Sequence, residues 1–412
     1  MIWSISWRNV WRNKLRSLII IIAVTVGLFG GIISAAFMIG WLEQRTDAAI
    51  EYEISNIQLH NPKFLLNEEI NFTINNPDKI INEIKTVEGV KAVCKRTKST
   101  AMASTATTGT GIIINGINPA QEKQVTKLYE KLLQGHYFEK DDKIPAVIGQ
   151  KLASKLNTSV GSKIVITIAN VEGIITYGAF RVIGIYKTSN DMFDEVNVFV
   201  RNDELINLIS FDKNKTSEIA VALDENKETN KIAEILRKKF NKEITEDKFV
   251  IQTWIEIQPT LNAMNEMMNY FSFIFQIVIL IALAFGIVNT MLMVVMERTH
   301  EIGMLMAIGM NKNRIFFMIM LETIFLSIIG GIGGIIISYF VVGYFSIHGI
   351  NLSIVSEGLN SIGFSSIVYL NIDSQFYIFT ALLVVITAII SSIYPARKAL
   401  KLNPADAVRE NV

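Results

Sequence analysis

The pair His300-Glu301 is the first place to look for chemistry, because a zinc peptidase carries H-E-x-x-H on one helix face. Here Met304 and Leu305 stand where the second histidine would be needed. Four His and the single Cys94 cannot supply a Cys-rich or His-based metal centre, and one thiol excludes any intrachain disulfide framework. The sequence has no G-x-x-x-x-G-K-[ST] loop to cradle phosphates and no G-x-S-x-G nucleophile elbow. No Ser/His/Asp or paired-carboxylate arrangement has support from spacing. The sequence therefore predicts no catalytic, cofactor-binding or metal-binding residue, and any work the protein does must draw on an energy source elsewhere.

The most informative polar stretch is Glu297-Arg298-Thr299-His300-Glu301-Ile302-Gly303-Met304-Leu305-Met306-Ala307-Ile308-Gly309. Glu297 and Glu301 are one helical turn apart, as are Arg298 and Ile302, and Gly309 falls where a helix C-cap belongs. The run reads as a short helix with a charged face and an apolar face, docked against something.

Long apolar segments must position that helix. About 20 apolar residues cross roughly 30 Å of hydrocarbon, and four stretches qualify: 17–40, 270–296, 315–347 and 376–394. Only the third carries a charge, Glu322, and an intramembrane carboxylate is costly enough to mark a candidate site. It lies two turns past Arg314, so snorkelling or pairing near that end is the plainer expectation. Gly27 with Gly31, and Gly330 with Gly334, are small-xxx-small pairs that would allow close helix contact.

Orientation follows from Lys and Arg in the short flanks. Arg8, Arg12, Lys14 and Arg16 precede the first span. Arg298, Lys312 and Arg314 lie between the second and third, and Arg397, Lys398, Lys401 and Arg409 follow the fourth. Those segments are expected in the cytoplasm, with both termini. The loop 348–375 has neither Lys nor Arg, so it and the segment 41–269 are placed outside. The first stretch is long for a signal-peptide core and lacks a convincing cleavage site, and reads as an uncleaved anchor. With 50% hydrophobic residues and 19% charged, lipid is the expected solvent for part of the chain. A net charge of +1, sorted along the chain rather than gathered on one face, argues against a nucleic-acid partner.

Residues 1–16 form an expected interfacial helix: Trp3, Trp7 and Trp11 recur every four residues, and Arg8, Arg12 and Arg16 do so on another face. Indoles at headgroup depth and guanidinium groups toward lipid phosphates would anchor it. Residues 297–314 hold the cytoplasmic helix, and 395–412 form a cytoplasmic tail.

The segment 41–269 changes to shorter periods. Strands are expected at Val90–Arg96, Gly111–Ile117, Ala146–Ile148, Lys163–Ile168, Phe180–Tyr186 and Val196–Val200, and helical patterns at Glu122–Leu133 and Thr229–Phe240. Asn76-Pro77-Asp78 opens a further helix. The fold class that follows is an α-helical membrane protein with four transmembrane helices and a large mixed α/β extracytoplasmic domain of two subdomains. Its two ends would pair, with a β-rich insert at about 105–215 between them.

The stretch from Glu297 to Gly309 resembles the coupling segment of MacB/FtsX-type permeases, whose pattern E-R-x-x-E-I-G-x-L-x-A-[IL]-G it meets almost throughout. Tyr394-Pro395-Ala396-Arg397-Lys398-Ala399, with Leu402, Pro404, Ala405, Ala407, Val408 and Arg409, is similar to that family's C-terminal pattern. Trp7-Arg8-Asn9-Val10-Trp11-Arg12-Asn13-Lys14-Leu15-Arg16-Ser17 resembles its start. Gln58-Leu59-His60-Asn61-Pro62, Gly116-Ile117-Asn118-Pro119 and Val147-Ile148-Gly149 are similar to its periplasmic core.

The resemblance implies a permease of the bacterial inner membrane, partnered with a cytoplasmic ABC ATPase and with a second permease copy or a paralogue. ATP-driven closure would be mechanically transmitted to the external domains. Glu297, Arg298, Glu301, Ile302, Gly303, Leu305 and Gly309 would then contact the ATPase. The layout is nearest the LolC/LolE type, which implies lipoprotein release to a periplasmic carrier. MacB-like efflux of drugs, peptides or toxins is the alternative, and FtsX-like control of cell-wall hydrolases a further one. A membrane-anchored sensor or adhesion protein without an ATPase is the competing class.

Overall fold

The computed structural model describes residues 2–12 and 14–401, which divide into two compact units. One unit comprises Met1–Leu42, Asn265–Asn351 and Ile367–Val412; the other comprises Glu43–Met264 and Leu352–Ser366.

The first unit is helical. Long apolar runs, uncharged but for Glu322 in the third, leave the backbone no better partner than its own i→i−4 carbonyl, and they produce the helices Lys14–Ala48, Pro259–Glu297, Lys312–His348 and Ser374–Ala399. The shortest has 26 residues, about 39 Å at 1.5 Å per residue, enough to cross hydrocarbon. Lys312–His348 is the most enclosed of the four. Its inner face carries Ile315, Ile319, Glu322, Leu326, Gly330 and Gly334, spaced by three and four. The short helix Ile2–Arg12 lies against it: Val10 is fully buried, and Ser6 Oγ donates to the Met318 carbonyl at 3.1 Å.

The second unit is built on a ten-stranded sheet. Val250–Thr253, Ile57–His60 and Glu218–Leu223 pair antiparallel in that order, and Glu218–Leu223 pairs with the first half of the long strand Val90–Ser104. Helices Pro77–Ile84 and Thr229–Lys239 bury Ile80, Ile81, Ile84, Ile232 and Leu236 with Ile57, Leu59 and Val221. The second half of Val90–Ser104 enters a closed ring. It pairs with Gly109–Ile117, followed by Asn197–Arg201, Pro145–Gly149, Ile175–Tyr186 and Lys163–Ala169, which pairs back onto Met102–Ser104. Alternation along each strand turns Ile112, Ile114, Ile148, Ile164, Ile166, Phe180, Val182, Val198 and Val200 into one core.

A buried ion cluster sits on the long strand. Arg96 donates to Glu122 at 2.7 and 3.1 Å and to Glu218 at 2.8 Å, and Lys98 adds a contact to Glu218 at 3.2 Å. Burial alone would raise the Glu218 carboxyl, but Lys98 and Arg96 hold it below its ordinary value. This cluster also explains where the expected helix Glu122–Leu133 fails. The helix is Pro119–Val125, Thr126 is extended, and a single tight turn at Leu128–Lys131 leads into the strand Leu132–Gly135. Thr126 spends its hydroxyl on Glu122 at 2.9 Å and Lys127 donates its backbone N–H to the Glu51 carbonyl, so tertiary partners outbid the helical pattern.

Candidate functional site

The helix Pro259–Glu297 stops at Arg298, whose φ of −100° and ψ of 17° leave the helical region, and a new helix runs Thr299–Ala307. Gly309 ends it at φ +95°, a backbone conformation that costs glycine nothing. The Met310 N–H reaches the Leu305 carbonyl at 3.0 Å and the Gly309 N–H the Met306 carbonyl at 3.1 Å, which satisfies the last turn as a Schellman motif does. Asn311 then caps Lys312–His348 by accepting from the Asn313 N–H.

The break at Arg298 releases its side chain toward the third span. Arg298 Nη1 donates to both carboxylate oxygens of Glu322 at 3.1 Å, and Nε donates to Glu301 at 3.0 Å. Glu301 in turn accepts both contacts from Arg12 Nη2. Arg12, Glu301, Arg298 and Glu322 thus form one alternating chain linking the N-terminal helix, the short helix and the third span. Burial alone would raise the Glu301 carboxyl, but hydrogen bonds and charge from Arg12 and Arg298 bring it below its usual value. Asn9, Arg12, Ser17, Arg298 and Glu322 supply the polar wall of a void of about 20 Å³, room for about one water molecule.

Two family models match the chain: the FtsX-like permease C-terminal model over residues 273–404, and the MacB-like periplasmic core domain model over residues 17–239, more than half of the sequence. The chain belongs to the MacB/FtsX family of ABC transporter permeases. An uncharacterized ABC transporter permease of Methanocaldococcus jannaschii is 28% identical over 280 residues, covering 67% of this chain and 65% of that one. The uncharacterized ABC transporter permease YknZ of Bacillus subtilis is 25% identical over 423 residues, 97% of this chain and 96% of the relative. The lipoprotein-releasing system transmembrane protein LolC of Neisseria meningitidis is 23% identical over 343 residues, 78% and 79% respectively. The match to the archaeal permease thus spans less than two thirds of that relative's length.

In this permease the seven residues expected to face an ATPase divide. Ile302 is 3% exposed and packs in the helical core, Gly303 is buried with it, and Leu305 is half-buried against the same core. Arg298 and Glu301 are committed to the ion chain. Glu297 and Gly309 remain at the surface, together with His300, Met304 and Ile308. Sequence reasoning missed Met304 and Ile308, although they follow His300 at intervals of four, which places all three on one stripe.

The anchor residues also divide. Trp3, Trp7 and Trp11 are exposed, with Trp3 and Trp7 edge-on to Phe325 at 5.7 and 5.5 Å. Arg8 is exposed, but Arg12, expected to face lipid phosphates, binds Glu301 instead. The side chain of Arg16 and the tail residues Leu402 to Arg409 lie outside the described residues.

Of the glycines, Gly330 and Gly334 make the close crossing. A Cβ on Gly330 would lie 2.8 Å from the Ile21 carbonyl and from Val24 Cβ, and one on Gly334 3.0 Å from Leu28 Cδ2. Thr25 Oγ1 donates to the Gly330 carbonyl at 2.9 Å across the same contact. Gly27 and Gly31 face the second span, where an added Cβ would lie 3.7 Å from Leu283 Cδ1 and 3.3 Å from Gln276 Oε1 respectively. Gly40, unremarked in the sequence, has the Tyr369 carbonyl where its Cβ would be. Among the described residues no group of three His, Cys, Asp or Glu could hold a metal.

Proposed function

We propose that this permease is the transmembrane subunit of an ABC export system whose ATPase is a separate cytoplasmic protein. The observation that carries the reading is the chain Arg12–Glu301–Arg298–Glu322. It fastens the helix Thr299–Ala307 to the third span and the N-terminal helix, so a push on that helix displaces a packed body rather than a loose loop. The ATPase would grip the outward stripe of Glu297, His300, Met304 and Ile308. Motion would pass along the helix Pro259–Glu297, which runs without a break. Both termini then lie in the cytoplasm, the α/β unit outside, and a second permease copy or paralogue completes the complex.

For substrate, lipoprotein release from the membrane to an external carrier is the reading favoured by the relative named for that system, which aligns over most of both chains. Depleting the protein and fractionating the membranes tests it: retained lipoproteins in the inner membrane support it, and normal sorting points to efflux of drugs, peptides or toxins. The permease role is tested separately by whether an ATPase engages the stripe.

A further inference from the structure

The first long helix ends in a turn of a different kind. The α-helix Lys14–Ala48 passes directly into a π turn at Ala49–Ile54, and single π turns occur mostly in α-helices, frequently at functional sites. An α turn would send the Ser55 N–H to the Glu51 carbonyl, four residues back. Instead Ser55 reaches one residue further, to the Ile50 carbonyl at 3.0 Å, and the Glu51 carbonyl takes the Lys127 N–H at 2.9 Å. Ser55 then sits at φ 79° and ψ 175°, a region that only glycine enters without strain. Such strain persists only where the surrounding structure holds it, and it gathers at switch regions.

A latch across the turn does the holding. Arg45 Nη1 and Nη2 donate to the two carboxylate oxygens of Glu53 at 2.9 and 3.3 Å, and both side chains are buried. Eight residues of α-helix, at about 100° each, would carry Glu53 roughly 80° past Arg45. The wider π turn brings it back onto the Arg45 stripe. Asn190 Nδ2 donates to Glu53 at 3.1 Å, and the oxygen of the same amide caps the helix Asp191–Val196 by accepting from the N–H groups of Met192 and Phe193. Gly363, at φ +83°, lies against the guanidinium, since a Cβ there would stand 2.6 Å from Arg45 Nε. It belongs to the segment Leu352–Ser366, whose helix Ser356–Ser361 packs on Asp191–Val196. One ion pair therefore ties the end of the first long helix to two other parts of the α/β unit.

We propose that Ala49–Ile54 is a two-state joint. As a π turn it keeps Glu53 on Arg45 and latches both Asp191–Val196 and the segment 352–366 to the first long helix. Relaxing to an α turn gives Ser55 the Glu51 carbonyl, turns Glu53 off Arg45 and frees both. The joint is independent of the cargo and of the ATPase that the permease takes.

Hydrogen exchange of the full-length protein in detergent tests this at 191–196 and 356–364, with Lys163–Ala169 as a reference strand. Arg45→Gln should speed exchange at both segments about tenfold or more and leave the reference strand unchanged. Deleting Ala49 separates a switch from a passive brace. Glu53 then follows Arg45 by seven residues, on one stripe of an ordinary α-helix, so the latch closes with no π turn and no second state. Exchange at both segments should slow about tenfold or more. A brace gives no slowing, so an unchanged or faster rate in the deletion variant overturns the proposal, as does Arg45→Gln speeding only one segment. The unaltered protein supplies a reading that needs no variant to fold. The slowest amides of the two segments should share one opening rate, and two unrelated rates overturn the latch.

Discussion

Arg298 meets Glu322 through both carboxylate oxygens at 3.1 Å, with the glutamate on the inner face of the most enclosed span. Removing one partner of a buried pair leaves the other charge without compensation, which costs about 3–5 kcal/mol. Arg298→Ala should therefore destabilise the permease strongly in detergent unfolding. Glu322→Gln added to it should recover much of the loss, because a neutral amide tolerates the site. Equal unfolding of the single and double variants would show that Glu322 left without its partner carries no cost.

The glycine crossing gives a graded series. Gly330→Ala drives a methyl into the Ile21 carbonyl and Val24 Cβ, and overpacking of this kind costs about 1–3 kcal/mol. Gly27→Ala meets only ordinary contact at 3.7 Å and should be near neutral. Thermal unfolding of the two variants side by side checks the order.

Cys94 reports on the buried ion cluster. It is fully buried beside Glu122, and burial together with that carboxylate raises its thiol well above the ordinary value. Maleimide labelling of the native protein should be slow and limited by opening of the domain. Arg96→Ala, which strips Glu122 and Glu218 of their shared cation, should speed labelling about tenfold or more. An unchanged rate would mean that the cluster does not hold the two halves of the sheet together.

Much of this architecture was legible in the sequence, and the parts that were not share a cause. Long apolar runs mark the four long helices, and the alternation of Lys163–Ala169 or Asn197–Arg201 marks strands, because both signals are local. Gly309 was recognisable as a helix end for the same reason. The pairing of Glu301 with Arg12 and of Arg96 with Glu218 was not. Arg12 lies 289 positions from Glu301, and Arg96 lies 122 from Glu218, and no periodicity carries information over that distance. The closure of six strands into a ring was equally invisible, since each strand reads the same whether its edge is paired or free. Ile302 and Gly303 read from the sequence as partner surface because a short amphipathic helix has two faces and sequence alone does not say which one the protein itself covers.

Asp194 supplies a pH signature. Burial, opposed only in part by hydrogen bonds from the Thr188 hydroxyl and N–H, lifts its carboxyl to about 7. In the unfolded chain it titrates near 4. Between those values the folded form holds a proton that the unfolded form has lost. This contribution is therefore full below about pH 4 and declines as pH rises to about 7, at up to roughly 1.4 kcal/mol per pH unit. Asp194→Asn should match the unaltered protein at pH 4 and exceed it in stability at pH 8. Unfolding at the two pH values reads the difference directly.

The central claim is that an ATPase grips the stripe of Met304 and Ile308 on a helix braced from behind by Arg298 and Glu322. Photo-crosslinking in native membranes tests it most directly, with a benzophenone amino acid placed at 304 or 308, and at the exposed span residue Ile336 as control. The account predicts adducts to a protein carrying a G-x-x-x-x-G-K-[ST] loop from 304 and 308 and none from 336. Adducts from 336 alone, or from none of the three, would contradict it.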